Sequence, residues 1–200
     1  LLKIITNVLA DAIAKVEAEK EINFMAYYDQ LTKLPNRFLF NDRVNQAIHL
    51  ANRTEKMIGI IFLDLDSFKT VNDTMGHDLG DELLQIIGHK ISQCLRKSDT
   101  VSRFGGDEFI IMANNISNIQ NVVKVAEKIT SLFRQPFNLQ GQDFYITVSI
   151  GVAVYPFDGE DTETLIKNAD IAMYNAKDKG RNQYVLCTKE MKEDVLNKMK

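Results

Sequence analysis

The sequence predicts an α+β fold, in which a ferredoxin-like β-α-β-β-α-β core follows an N-terminal helix. Residues 57–63 are continuously apolar, as in a strand that is buried on both faces. Apolar residues 101–104 and 109–112 flank a Gly-Gly pair, which predicts a hairpin. Segments whose apolar residues have helical spacing lie between these strands and the later ones. We therefore expect a sheet that contains antiparallel strands, with helices packed on one face.

The composition is typical of a globular domain. The chain has 200 residues, of which 45% are hydrophobic and 26% charged, and its net charge is −3. This charge gives no overall attraction to nucleic acid or to an anionic membrane. No apolar run has the length of a membrane span. Cys94 and Cys187 are far apart and form no CxxC pair, so we interpret them as reduced thiols in a cytosolic domain.

The first element is a helix that we expect to run to about residue 28. Its apolar stripe is spaced by three and four residues and consists of Leu2, Ile5, Leu9, Ala12 and Val16. Fewer than three heptads is weak evidence, so three interpretations stay open: a coiled coil, the last helix of an upstream domain, and a packed terminal helix. In the turn-rich segment 29–37, Pro35 and the candidate N-cap Asn36 introduce a helix over 37–52.

The later elements follow from the same patterns. Apolar residues at helical spacing predict helices, and apolar runs rich in β-branched residues predict strands. The polar, glycine-containing segment 73–81 separates the first strand from the next helix. We expect helices over 79–95, 119–133 and 162–177, and strands over 144–154 and 183–186.

Two groups of acids point to chemistry. Asp64 and Asp66 end the first strand, and alternation places them on one side of it. Asp107 and Glu108 follow the hairpin glycines. In this element order the two groups lie on adjacent strands and converge at one edge of the sheet. Mg²⁺ takes one or two carboxylates and completes its shell with substrate phosphate and water, so we expect a magnesium site that binds a nucleoside triphosphate.

Several segments resemble one known family. Residues 105–109 read Gly-Gly-Asp-Glu-Phe, which is the GGDEF signature of diguanylate cyclases. The similarity covers about residues 26–186, and it includes the segments 29–37, 62–69, 72–81, 149–153 and 169–182. A chance match over so many separate segments is negligible.

The resemblance implies a concrete activity. Members condense two GTP molecules into cyclic di-GMP and release two pyrophosphates. Each domain binds one GTP, and the 3′-hydroxyl of each GTP attacks the α-phosphate of the other, so catalysis needs a homodimer. The implied fold resembles the palm of adenylate cyclases and polymerases. The implied cofactor is Mg²⁺, for which Mn²⁺ could substitute. We expect the domain in the bacterial cytoplasm, and we expect no nucleic acid as a partner.

The resemblance also implies roles for single residues at the hairpin and the first strand. The metal ligands would be Asp64, the carbonyl of Leu65, Asp107 and Glu108. Asp107 and Glu108 are the implied catalytic residues, and Asp107 is the candidate acceptor of the hydroxyl proton. Gly105 and Gly106 would let the hairpin backbone approach the nucleotide closely.

The substrate-binding residues implied by the resemblance lie in other segments. Asn72 and Asp81 would recognise guanine, because a carboxylate accepts from N1–H and the N2 amine, and His77 would lie near the ribose. The triphosphate would be held by the main chain around Phe68 and Lys69 and by the cations Lys177 and Arg181.

A second site is implied by Arg96 and Asp99, whose RxxD spacing precedes the signature with five residues between Asp99 and Gly105. It resembles the family's inhibitory product site, at which Arg96 would bind guanine or phosphate edges and Asp99 the guanine N1–H side. Bound cyclic di-GMP would hold the domains in an unproductive arrangement.

Three regions follow from these expectations. Residues 1–28 would be a signalling or linker helix, 29–188 the GGDEF domain, and 189–200 a helical tail or linker. We expect an upstream sensory domain, and the tail resembles linkers that lead to a phosphodiesterase domain. Two alternatives stay open: a non-catalytic regulatory module that binds GTP or cyclic di-GMP, and a signalling piece whose main partner is a protein bound through residues 1–28.

Overall fold

The computed structural model describes residues 13–15, 21–22 and 24–191. The apolar stripe from Leu2 to Val16 lies outside the described residues. Residues 13–15, 21–22 and 24–27 are helical, and Tyr28 then forms an isolated bridge with Pro35. No helix within these described ranges is both long and apolar enough to cross a membrane.

The elements of the described chain alternate largely as expected. In order they are α1 (Arg37–Thr54), β1 (Met57–Asp66), α2 (Phe68–Met75), α3 (His77–Cys94), β2 (Thr100–Gly105), β3 (Glu108–Ile116), α4 (Ile119–Leu132), β4 (Phe137–Leu139), β5 (Gln142–Phe144), β6 (Thr147–Tyr155), α5 (Thr162–Asp178) and β7 (Gln183–Leu186). The side chain of Asn36 accepts a hydrogen bond from the Leu39 amide, which confirms it as the N-cap of α1.

A five-stranded sheet forms the centre, with the strand order β2-β3-β1-β6-β7. Strand β1 is antiparallel to both β3 and β6, whereas β7 is parallel to β6. The ferredoxin-like order is therefore confirmed, and the hairpin stands beside the first strand as predicted.

The expectation that helices cover one face of the sheet is wrong. Alternate residues of β1 enter two separate cores: Ile60 and Phe62 pack with α1 and α5, while Ile61 and Leu63 pack with α3 and α4. A strand that is apolar at every position needs cover on both sides, and this fold supplies it.

Two short elements differ from the predicted boundaries. The strand predicted over 144–154 begins only at Thr147, because Phe144 pairs with Phe137 in the separate β4–β5 hairpin. Tyr145, between the two strands, is 76% exposed. The helix α2 was not predicted; it ends at Met75, and after Gly76 the helix α3 begins at His77 rather than at residue 79.

Candidate active site

The two groups of acids converge because of the sheet register. Asp64 in β1 is the antiparallel partner of Glu108 in β3, and the Leu65 amide donates to the Asp107 carbonyl at 3.4 Å. The side chains of Asp64 and Asp66 are 12% and 3% exposed. The predicted convergence at one end of the sheet is therefore confirmed.

The turn between β2 and β3 depends on its two glycines. Gly105 has a φ of 151° and Gly106 a φ of 53°, both in the region that disfavours other residues. A Cβ at either position would meet no described atom within 4 Å. The glycines are therefore required by the backbone conformation and leave the tip open to a ligand.

Arg103 fixes this tip to the entry turn. Its Nε and Nη2 donate to the Gly106 carbonyl at 3.0 and 2.8 Å, and its Nη1 donates to both carboxylate oxygens of Asp29 at 3.2 Å. Burial acts to raise the pKa of Asp29, but hydrogen bonds from Thr32 and the charge of Arg103 outweigh it, so this pKa lies below its ordinary value. The ionised Asp29 therefore anchors the hairpin through Arg103.

The acids at the strand ends carry more negative charge than the nearby cation offsets. Lys177 Nζ lies 2.7 Å from Asp64 Oδ2. Burial nevertheless raises the pKa of Asp64, with Asp107 adding to the effect and Lys177 opposing it. Burial also raises the pKa of Glu108, and the charges of Asp64, Asp170 and Asp107 act in the same direction. This arrangement favours an added cation.

The donor set fits magnesium bound together with a substrate phosphate. Within the described residues, no three metal-ligating side chains form a ready-made cluster. Asp64 and Glu108 are opposite each other, and Leu65, whose side chain is buried, can contribute only main-chain atoms. One or two carboxylates with an open remainder of the shell is the arrangement that Mg²⁺ uses with nucleotides.

The segment that the resemblance assigns to phosphate binding begins directly after β1. Ser67 has a φ of 60°, and α2 starts at Phe68. The Phe68 side chain is buried in the core, so only its main chain can face a phosphate, whereas Lys69 is exposed. The main-chain role that the resemblance implies at these positions is compatible with this geometry.

The proposed guanine-binding residues lie on the adjoining helices α2 and α3. The buried Oδ1 of Asn72 has no hydrogen-bond partner among the described atoms. A Cβ at Gly80 would collide with this Oδ1, so Gly80 provides the space for the amide. His77 and Asp81 are exposed in the first turns of α3. A buried amide oxygen without a partner is costly, and a ligand or a water molecule can satisfy it.

Comparison with known families decides the relationship. A family model described as "Diguanylate cyclase, GGDEF domain" matches residues 26–183. The chain belongs to the GGDEF diguanylate cyclase family.

The similar proteins are longer than this GGDEF chain. The bifunctional diguanylate cyclase/cyclic di-GMP phosphodiesterase MucR of Pseudomonas aeruginosa is 44% identical over 179 residues, which cover 90% of this chain and 26% of MucR. The cyclic di-GMP phosphodiesterase NbdA of the same species is 40% identical over 165 residues, or 82% of this chain and 21% of NbdA. The chain thus spans about a quarter of the length of these relatives.

A solved structure confirms the fold of the GGDEF domain. It comprises only the GGDEF domain of TpbB, also called YfiN, from Pseudomonas aeruginosa, and matches with a TM-score of 0.82 at 33% identity. The match covers 85% of this chain and 99% of that one.

The RxxD residues of this GGDEF domain lie together in the turn before β2. The Asp99 carboxylate accepts from the amides of Arg96 and Asn114, both at 3.1 Å. Arg96 is exposed, and it lines a cavity of about 170 Å³ together with Asp99, Lys124 and Lys128. Asp99 therefore holds the turn, while Arg96 and the two lysines offer positive charge.

Sequence reasoning missed three contributors. Arg103 and Asp29 clamp the hairpin. Asp29 lies inside a segment that carried the resemblance, whereas Arg103 lies two residues before the signature. Asp170 in α5 acts electrostatically on Glu108, and both line a cavity of about 750 Å³. Asp170 and Lys177 are seven residues apart, which is two helical turns. This spacing in the sequence indicates that both lie on the same face of α5.

Proposed function

We propose that this chain is the catalytic domain of a diguanylate cyclase, which condenses two GTP molecules into cyclic di-GMP and two pyrophosphates as a homodimer with Mg²⁺. The observation that carries the proposal is the register of Asp64 opposite Glu108, with Asp107 beside them at the hairpin tip. All three acids are present, whereas a regulatory module without catalysis has no need of Asp107 as an acceptor of the hydroxyl proton.

Each condensation step forms one phosphodiester bond. The 3′-oxygen of one GTP bonds to the α-phosphorus of the other, the bond to the bridging oxygen breaks, and pyrophosphate leaves with that electron pair. The hydroxyl proton passes to the Asp107 carboxylate. Asp64, Glu108, Asp107 and the Leu65 carbonyl would hold Mg²⁺, which would polarise the α-phosphate and lower the pKa of the attacking hydroxyl. Mn²⁺ can substitute.

Other residues bind and orient the substrate. Asp81 accepts from guanine N1–H and the N2 amine, and Asn72 supplies its unpaired amide oxygen. His77, which lies in α3 together with Asp81, contacts the ribose. Lys177, Arg181 and the main chain at Phe68 and Lys69 hold the triphosphate. In phosphoryl transfer such positioning and charge stabilisation supply most of the catalysis.

A second candidate is a regulatory module that binds GTP or cyclic di-GMP and controls a neighbouring domain. The observation that favours it is the 40% identity to NbdA, which is named only as a phosphodiesterase. Both candidates predict nucleotide binding, but only the cyclase predicts turnover.

The deciding experiment incubates the purified protein with GTP and Mg²⁺ and separates the products by chromatography, with Asp107→Ala as the control. Protein concentration is raised stepwise, because two domains must meet for the reaction. We expect cyclic di-GMP from the unaltered protein and none from the variant. Tight GTP binding without product at the highest concentration would contradict the cyclase and favour the regulatory module.

A further inference from the structure

We infer that Asp66 is a positioning residue for the triphosphate, because its carboxylate fixes the loop that carries Arg181 beside the end of β1. This inference rests on the proposed function, in which Arg181 binds GTP phosphates. Asp66 itself would not touch the substrate.

The Asp66 carboxylate is held from several directions. Thr147 Oγ1 donates to its Oδ2 and Ser149 Oγ to its Oδ1, both at 2.7 Å. The Asn182 amide donates to Oδ2 at 3.2 Å. Because the carboxylate is almost fully buried and its oxygens accept from three fixed donors, its orientation is well determined.

Two of these donors connect β1 to its neighbour β6, and a purely structural carboxylate would need no more. The contacts to residues 181 and 182 come from outside both strands, from the loop that joins α5 to β7. They link the end of the central strand to the segment that carries Arg181.

That loop has a backbone that needs external support. After Gly180 with a φ of 109°, Arg181 and Asn182 have φ values of 64° and 49°. Consecutive non-glycine residues in this region are unfavourable and persist only where surrounding contacts fix them. The Arg181 amide donates to the Ala176 carbonyl at 3.0 Å, and the Asn182 amide donates to Asp66. Asp66 therefore stabilises the conformation that returns Arg181 toward the strand end.

Arg181 lies near the Asp66 carboxylate but remains accessible to a ligand. Its Nε lies 4.0 Å from Asp66 Oδ1, and its side chain is 58% exposed. This distance allows charge attraction without a hydrogen bond, and the terminal guanidinium nitrogens remain available for the bidentate binding of a phosphate. By contrast, Lys177 contacts Asp64 at 2.7 Å. Strand β1 thus provides one carboxylate for each of the two cations.

Asp66→Asn tests this role with little change of shape. The oxygen of the asparagine side chain can still accept from the Asn182 amide, and its NH2 group can donate to the Ser149 hydroxyl. The negative charge that attracts Arg181 is lost. Binding is measured by titration calorimetry with Mg²⁺ and 3′-deoxy-GTP, which lacks the attacking hydroxyl, and with 3′-deoxy-GMP. We expect about three- to fivefold weaker binding of the triphosphate and less than a twofold change for the monophosphate.

A double-mutant cycle separates positioning from a structural effect. In an Arg181→Ala background, Asp66→Asn is expected to weaken 3′-deoxy-GTP binding by less than about twofold, because its target is gone. Asp143→Asn makes the same chemical change in β5, away from the site, and should alter neither affinity. Ser149→Ala keeps the charge of Asp66 and removes one hydroxyl donor to its carboxylate. We expect it to weaken binding of the triphosphate about threefold and to leave binding of the monophosphate unchanged, and this variant serves as the test if Asp66→Asn does not fold.

Equal losses for triphosphate and monophosphate, or an undiminished effect of Asp66→Asn without Arg181, would overturn the inference. If Asp66→Asn does not fold, unchanged triphosphate binding by Ser149→Ala would do the same. If the unaltered protein binds 3′-deoxy-GTP and Asp66→Asn binds it equally well, the inference alone fails. If the unaltered protein binds neither nucleotide, the proposed function fails, and the inference with it.

Discussion

Lys177 Nζ and Asp64 Oδ2 lie 2.7 Å apart, so a cation from α5 contacts the carboxylate at which we propose that magnesium binds. Both side chains are largely buried, and removal of one charge leaves the other unpaired. Lys177 therefore stabilises the protein before any nucleotide arrives.

We expect Lys177→Met to lower the free energy of unfolding by about 1–3 kcal/mol at pH 8 without nucleotide. Lys177 lowers the pKa of Asp64, so its loss moves that already raised pKa further up. Protonation then relieves the unpaired charge as the pH falls, and the loss of stability should be smaller at pH 5. Urea unfolding at both pH values measures this, and an equal loss at both would contradict it.

We expect Glu108→Gln to abolish turnover and yet raise the melting temperature at pH 7, by about 1–3 °C. The raised pKa means that the ionised form is less favourable in the folded chain than in the unfolded one. Protonated Glu108 does not destabilise the folded chain below its pKa in the unfolded chain, about 4.3. This stability is lost as the pH rises through the higher pKa of Glu108 in the folded chain. The gain should therefore disappear near pH 4. Glu82→Gln, outside the cluster, is the control in thermal unfolding without Mg²⁺.

The clamp between Asp29 and Arg103 should show a coupling of about 1–2 kcal/mol in a double-mutant cycle of Asp29→Asn and Arg103→Gln at pH 7. The pKa of Asp29 is lowered, so this stabilisation is present above the unfolded pKa of about 3.9 and is lost as the pH falls through the folded pKa. Denaturant unfolding at pH 7 and pH 3 provides the measurement. Coupling that persists undiminished at pH 3 would contradict the ionic clamp.

Gly80→Ala should weaken GTP binding by about tenfold or more without altering any proposed guanine ligand, because the new Cβ displaces the Asn72 amide. Gly88→Ala is a matched control in the same helix, since its Cβ would meet only side chains at 3.0 Å and beyond. Calorimetry with 3′-deoxy-GTP compares them. Unchanged binding by Gly80→Ala would remove Asn72 from the guanine site.

Arg96→Ala should relieve inhibition by cyclic di-GMP and leave the initial rate unchanged, because Arg96 is exposed and precedes β2, whereas the hairpin acids follow the other end of that strand. Asp99→Ala is a poorer test, since Asp99 also fixes the Asn114 amide and its loss would disturb β3. Initial rates over a range of added cyclic di-GMP provide the measurement. Unchanged inhibition in Arg96→Ala would remove the product site.

Sequence patterns predicted most of the sheet, because a long apolar run such as 57–63 and the glycine hairpin each have one favourable arrangement. The β4–β5 hairpin was missed because strands of three residues are too short to show a period. The helix cover was misjudged, although the continuous apolar run of 57–63 already indicates that both faces of the sheet are covered.

The strand-end acids were predictable because alternation and strand adjacency place Asp64 and Glu108 together. The carboxylate of Asp66 was not, since its role depends on Thr147, Ser149 and the loop at residue 182, which only the folded chain brings together. The same holds for the clamp of Asp29 by Arg103, whose positions are 74 residues apart.

The register of Asp64 against Glu108 has a consequence for local opening. Asp64 and Glu108 stand at the end of the paired segments 61–63 and 109–112, which lie in the most buried part of the sheet, so fraying beyond the hairpin tip leaves the register next to the two acids intact. The amides of residues 61–63 and 109–112 should therefore exchange with solvent only through global unfolding. Substrate-binding loops can open and close many times while the spacing of the two acids stays constant.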